Sequence, residues 1–166
     1  MSGMRIACLG EAPQHIPALA GEHLQAFGPL LPEWALDEAE ADLRSHRCDT
    51  RIPTTWIALD GADWLGSVSL LQNDDARIRQ FSPWLATLYV RPHARGRGVG
   101  ERLVAHCVQA AARLHGGYLY LYCQSQLVPF YQRLGWQPHV ELPLGPLQVI
   151  VMRIETGAPA AGASAA

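Results

Sequence analysis

The chain contains no lysine, so all 13 of its residues in the lysine and arginine class are arginine. That absence excludes the phosphate loop that ends in Gly-Lys-Ser/Thr, whose lysine reaches the phosphates directly. A coding bias accounts for it as readily as function does. Cysteine is scarce too: Cys8, Cys48, Cys107 and Cys123 are far apart and form no CxxC pair. The pattern predicts reduced, buried thiols in a cytosolic protein rather than a zinc or redox motif. No run approaches the ~18 apolar residues that a membrane span requires. The first residues lack the basic start and apolar stretch of a secretion signal, so the expected location is cytoplasmic. The seven histidines show no HxH or HExxH spacing, and no metal site is expected. Charge of either sign is limited. A net charge of −2 gives no overall case for nucleic acid or a membrane surface.

What remains is a chain of 166 residues, 49% apolar, which suits one domain with a full core. The stretch TGAPAAGASAA has nothing to fill a core, so the domain is expected over 1–155 and a flexible tail over 156–166. MRIACLG reads as a first strand. Helical spacing follows from about Pro13 to Phe27 and again from Glu33 to Arg47. TTWIALD and WLGSVSLL form a hairpin across the DGAD turn. The polar run QNDDARIRQFS then leads, as a long loop, to the strand PWLATLYV. Gly100 to about His115 is a strongly amphipathic helix, ended by Gly116 and Gly117. YLYLYC, LVPFYQRL, WQPHVELPL and LQVIVMRI complete the order β-α-α-β-β-β-α-β-α-β-β. The strand–helix–strand unit from Trp84 to Cys123 implies a parallel crossover in a mixed sheet.

Between the strand and the helix of that unit lies RGRGVG, Arg95 to Gly100. A helix N-terminus presents unpaired N–H groups and a positive dipole end, and glycines let the main chain approach a phosphate. Arg95 and Arg97 add forked cations suited to phosphate oxygens. The glycine spacing, G-x-G-x-G, is one residue too tight for the dinucleotide fingerprint G-x-G-x-x-G.

RGRGVG matches the pattern [RQ]-x-x-G-x-[GA], preceded by the V-x-P step Val90-Arg91-Pro92. About 30 residues later FYQRLGW, Phe130 to Trp136, fits FY-x-x-x-G-[FYW]. In these motifs and their order the chain resembles the Gcn5-related N-acetyltransferases (GNAT), well from about Ile52 to Ile154 and only in element type before that. The resemblance implies an α/β (α+β) fold, a twisted mixed sheet of six or seven strands flanked by helices. It also implies a V-shaped split between two parallel strands, here LATLYV and YLYLYC. It implies acetyl-CoA as co-substrate, with its pyrophosphate on Arg95, Gly96, Arg97, Gly98, Val99 and Gly100. Its pantetheine arm is expected along the main chain of Leu88, Tyr89 and Val90, with a further contact at Gln124.

The activity implied is direct attack of an amine on the acetyl carbonyl, without an acyl-enzyme. Tyr131 matches the tyrosine that protonates the departing thiolate. Many family members carry a carboxylate base on the strand before the loop, and PWLATLYV has none. Asp74 and Asp75 lie in the preceding loop, which makes Asp75 the weak base candidate. Tyr120 and Tyr122 share one face of their strand, and Trp34 and Trp84 are candidates to shape an acceptor pocket. A Cys123 nucleophile with His139 or His106 is a poorer reading than a buried strand thiol. The expected acceptor is a small-molecule amine or a peptide or protein N-terminus, with no nucleic acid or membrane partner. Homodimerisation is common in the family, though no segment here shows it. The alternative is a non-catalytic acyl-CoA sensor or partner-binding module.

Overall fold

The computed structural model describes residues 3–27, 34–46, 51–73 and 76–157. Its strands are β1 (Met4–Cys8), β2 (Thr54–Asp60), β3 (Asp63–Leu71), β4 (Trp84–Val90), β5 (Tyr118–Cys123), β6 (Gln137–Leu144) and β7 (Leu147–Glu155). The helices are α1 (Ile16–Phe27), α2 (Leu36–Ser45), α3 (Val99–Leu114) and α4 (Val128–Arg133). The seven strands form one sheet in the order β1-β2-β3-β4-β5-β7-β6. Every neighbouring pair is antiparallel except β4 and β5. This is the mixed sheet and the element order expected from the sequence.

Helices cover both faces, which is why β2 and β3 are buried along almost their whole length. On one face α1 and α2 set Leu19, Ala20, Ala39 and Leu43 against Ile57, Leu59 and Trp64. On the other, α3 packs Leu103, Val104 and Cys107 against Trp56, Val68 and Leu70, joined by Tyr131 of α4. A third cluster, built on Trp84, Val149 and Val151, closes the β5–β7 end.

Element boundaries shift modestly from the expected ones. The helix expected from Pro13 begins as two short 3₁₀ turns, and α1 proper starts at Ile16. In the long loop after β3, Ala76–Ile78 forms a 3₁₀ turn whose Ile78 enters the core. Thr156 donates from its backbone N–H and its hydroxyl to the Gly117 carbonyl, both at 2.8 Å. The rest of the expected tail, 158–166, lies outside the described residues.

Candidate active site

β4 is regular only in its first half. Ser69 pairs with Ala86 and Ser67 with Tyr89, so Val68 alone stands opposite both Thr87 and Leu88. The extra residue makes a β-bulge. Thr87 takes φ +48°, a left-handed conformation that a β-branched residue rarely adopts. Its Oγ1 donates to Ser69 Oγ at 3.1 Å, which fixes the bulge against β3.

The parallel neighbours meet at one register pair, Trp84 and Tyr120, beside which the Tyr120 N–H donates to the Pro83 carbonyl at 3.0 Å. Beyond it they diverge into the V-shaped split. The Arg91 N–H donates to Leu65 O at 2.8 Å. Backbone groups alternate along an antiparallel ladder, so those of Val90 point away from β3, toward the split.

Past the split the chain turns through Gly96 (φ +77°) and Gly98 (φ +80°), the second of which caps α3. A Cβ on either would meet nothing within 4 Å. Backbone conformation therefore selects glycine here, rather than crowding. The first N–H groups of α3 have no partner within the helix and open onto this turn. Arg95 lies over the turn, its Nε donating to Val90 O at 2.8 Å and its guanidinium 5.9 Å from the Tyr89 ring. Arg97 folds back instead, donating to His93 O at 2.8 Å. Arg91 turns elsewhere, pairing with Glu22 at 3.2 Å and Asp63 at 3.0 Å and stacking over Trp64 at 4.6 Å. Tyr89 joins the same network by donating to Glu22 at 2.9 Å. Arg95 and Arg97 thus stay at the turn, while Arg91 pairs with α1 and β3.

Two clefts meet at this place. The smaller, about 410 Å³, is lined by Leu88 to Val90, by the turn at Arg95, Gly96 and Gly98, by the start of α3, and by Phe130 and Tyr131. The larger, about 930 Å³, runs along the split between Thr87 and Leu88 on one side and Leu121 to Gln124 on the other. His23, Trp34, Asp42 and His46, on the side of α1 and α2, also line it. Tyr131, Leu88 and Leu127 line both. Tyr131 is buried, with its ring edge-on to Phe130 and to Trp136. Burial, with a smaller contribution from Cys123, pushes its phenol well above the usual tyrosine value, so it stays protonated near neutrality.

The other sequence candidates fall into place around these clefts. Gln124 lines the larger cleft, not the glycine turn, and accepts from Gln126 at 2.9 Å. Asp75 and Asp74 lie outside the described residues. Tyr122 and Trp34 line the larger cleft, while Trp84 and Tyr120 pack with Phe81 in the core. The Cys123 thiol is pushed up to about 11 by burial and points at Met152 Sδ at 3.8 Å, which is the environment of a packing thiol. His106 stands against Trp56, and His139 against Phe81 and Tyr120.

A set of buried hydroxyls under the larger cleft escaped sequence reasoning. Ser69 Oγ meets Thr55 Oγ1 at 2.7 Å, and Thr55 Oγ1 meets His46 Nδ1. In parallel, His23 Nε2 meets Ser67 Oγ at 2.9 Å. The signal was present as hydroxyl residues inside largely apolar strands, Thr55 in β2 and Ser67 and Ser69 in β3. Burial holds the pKa of both histidines below the usual value, that of His23 at about 4.

A glycine turn at a helix N-terminus thus stands beside a bulged strand split from its parallel neighbour. The chain belongs to the acetyltransferase (GNAT) family, whose model matches residues 20–136. No curated protein matches the sequence. Solved structures share the fold at low identity. The yncA protein of Salmonella typhimurium, determined with its cofactor acetyl-CoA, gives a TM-score of 0.72 at 15% identity, covering 96% of this chain and 98% of that one. An aminoglycoside 6'-N-acetyltransferase complexed with coenzyme A gives 0.70 at 17%, covering 92% and 97%. A chimera of the spermidine N-acetyltransferase SpeG from Vibrio cholerae and hSSAT gives 0.67 at 18%, covering 93% and 96%.

Proposed function

We propose that the protein transfers the acetyl group of acetyl-CoA to a primary amine by direct attack within a ternary complex. The observation that carries this reading is the shared wall of the two clefts. Tyr131 and Leu88 border both the glycine turn and the larger cleft, so a thioester lying along β4 meets an amine entering from the other side. The turn fits a pyrophosphate: two left-handed glycines, the open end of a sixteen-residue helix and the Arg95 guanidinium converge on it. The main-chain groups of Leu88 and Val90, exposed by the split, fit an extended amide-bearing arm as an added strand would. Tyr89 serves through its side chain, which ties β4 to α1.

Bound acetyl-CoA supplies an activated thioester, and the chain does the rest. An N–H at the β4 bulge, fixed by Thr87 before the substrate arrives, is placed to meet the carbonyl oxygen as charge grows on it. Tyr131 offers its O–H to the departing sulfur. Trp34, Tyr122 and Val149 line the larger cleft with Asp42, which suits an amine carried on a partly apolar body. Spermidine and aminoglycosides, the substrates named for two proteins of similar fold, belong in the test set for that reason.

The test is CoA thiol release from acetyl-CoA with polyamines, aminoglycosides, amino acids and short peptides. Turnover on one amine class establishes the enzyme. Tight acetyl-CoA binding with no transfer to any of them supports an acyl-CoA sensor instead.

A further inference from the structure

The reaction needs a proton acceptor, and β4 carries no carboxylate. The acceptor cleft holds a hydrogen-bonded chain that starts at the β4 bulge and ends on a neutral imidazole. We propose that His46 is the terminal proton acceptor of acetyl transfer, reached from the amine through the hydroxyls of Thr87, Ser69 and Thr55. The proposal rests on the acetyltransferase reading above.

The chain is continuous. Thr87 Oγ1 donates to Ser69 Oγ at 3.1 Å, Ser69 Oγ meets Thr55 Oγ1 at 2.7 Å, and Thr55 Oγ1 meets His46 Nδ1. Its two middle members are only 1% exposed. Polar groups that deep cost stability unless each is bonded, so their presence in two fully covered strands needs a reason. Each hydroxyl carries one hydrogen. Thr87 donates to Ser69, and the relay takes the sense in which Ser69 donates to Thr55 and Thr55 to an unprotonated Nδ1, one of the two senses these bonds allow. The first oxygen belongs to the strained residue that makes the bulge, one position before Leu88 in the wall shared by both clefts.

The electrostatics favour a resting neutral imidazole that can take a charge briefly. Burial holds the His46 pKa below the ordinary value, and the Asp42 carboxylate opposes that shift. Asp42 from α2 and His23 from α1 act on it electrostatically, and β2 gives it the Thr55 hydroxyl. His23, itself neutral, does not compete for the proton.

The step balances. The amine nitrogen bonds to the acetyl carbon, the carbon–sulfur bond breaks, and sulfur leaves with that electron pair. The amine proton passes to Thr87 Oγ1, and each hydroxyl hands its own proton onward until Nδ1 of His46 is protonated. Tyr131 hydrogen-bonds the departing sulfur and keeps its proton, so imidazolium and thiolate balance in charge, and solvent resets their protons between turnovers. His46, Thr55 and Ser69 act through Thr87, so they are relay residues rather than groups that touch the substrate.

The first test needs no acceptor. ¹⁵N spectra of the full chain, with His46 assigned from His46→Gln, should show an unprotonated Nδ1 and a protonated Nε2 at neutral pH. A protonated Nδ1 reverses the chain and overturns the relay while leaving the acetyltransferase reading standing. The second test uses an amine that turns over. Thr55→Val should lower kcat/KM by roughly 100-fold, the lower end of general-base effects. It should also abolish the acid limb that wild type shows as His46 protonates. Thr55→Ser, which keeps the hydroxyl, should restore both. An unchanged rate and acid limb in Thr55→Val overturns the proposal. No transfer by wild type to any amine strikes the acetyltransferase reading itself, and the relay falls with it.

Discussion

Gly66 of β3 lies so close to Tyr89 of β4 that a Cβ on it would sit 2.5 Å from the Tyr89 carbonyl oxygen. Real side chains do not make that contact, so a side chain at Gly66 could fit only if the two strands moved apart. Gly66 has no special φ, and close approach alone selects glycine. The pair holds β3 and β4 at close range beside the main chain expected to hold the thioester arm.

Gly66→Ala should therefore destabilise the fold by about 1–3 kcal/mol, the usual cost of overpacking. Acetyl-CoA affinity should fall with it, because Tyr89 and Val90 must shift. Urea unfolding and calorimetric titration measure the two effects. Unchanged affinity in a folded Gly66→Ala protein would show that β4 is not the docking edge.

The glycines of the turn predict a different pattern. At Gly98 the added methyl meets nothing, but φ +80° must be held by an alanine. Gly98→Ala should cost about 1–2 kcal/mol of stability for the left-handed conformation, and acetyl-CoA binding should weaken. Gly21, inside α1 with nothing within 4 Å of a Cβ and no unusual φ, is the contrast. Gly21→Ala should stabilise by about 0.5–1 kcal/mol and leave binding unchanged. Equal losses in the two variants would refute the assignment of conformational strain to the turn.

Tyr131→Phe isolates the phenol. The ring contacts with Phe130 and Trp136 survive the change, so folding and acetyl-CoA binding should hold. Turnover should fall by roughly 100-fold if the hydroxyl assists the leaving sulfur. Because the phenol stays protonated through neutrality, the loss should be the same at pH 6 and pH 8. Steady-state rates at the two pH values, beside a binding isotherm, check this.

The order of all eleven helices and strands was legible from periodicity and turn chemistry, since the apolar faces of α3 and β4 leave little choice. RGRGVG and FYQRLGW located the turn and Tyr131 because both depend on local geometry. Residues brought together by pairing register were not legible. Nothing near Thr87 in the chain announces a left-handed bulge, which arises from the mismatch of β3 and β4. The meeting of His46, Thr55, Ser69 and Thr87 depends on three strands and the end of α2. Chain proximity does not fix partners either: Arg91 is four residues from Arg95, yet it pairs with Glu22 of α1 and Asp63 of β3.

His23 makes stability depend on pH with a definite sign. Its ring is 2% exposed and bonded to Ser67, and burial lowers its pKa from 6.5 to about 4 in the folded state. Between those values the unfolded chain binds a proton that the folded chain refuses, so stability falls as pH falls. Above 6.5 neither state holds the proton and the effect is absent, while below about 4 both hold it and the loss stops growing. The full loss is roughly 3 kcal/mol by linkage. His46 is shifted in the same direction, so the measurement must be a difference. Urea unfolding of wild type and His23→Gln at steps from pH 7 to pH 4.5 provides it. Wild type should lose stability relative to the variant on acidification, most steeply in the middle of that window. A constant difference would mean that His23 is not held neutral, and that Ser67 does not share its bond with an unprotonated ring.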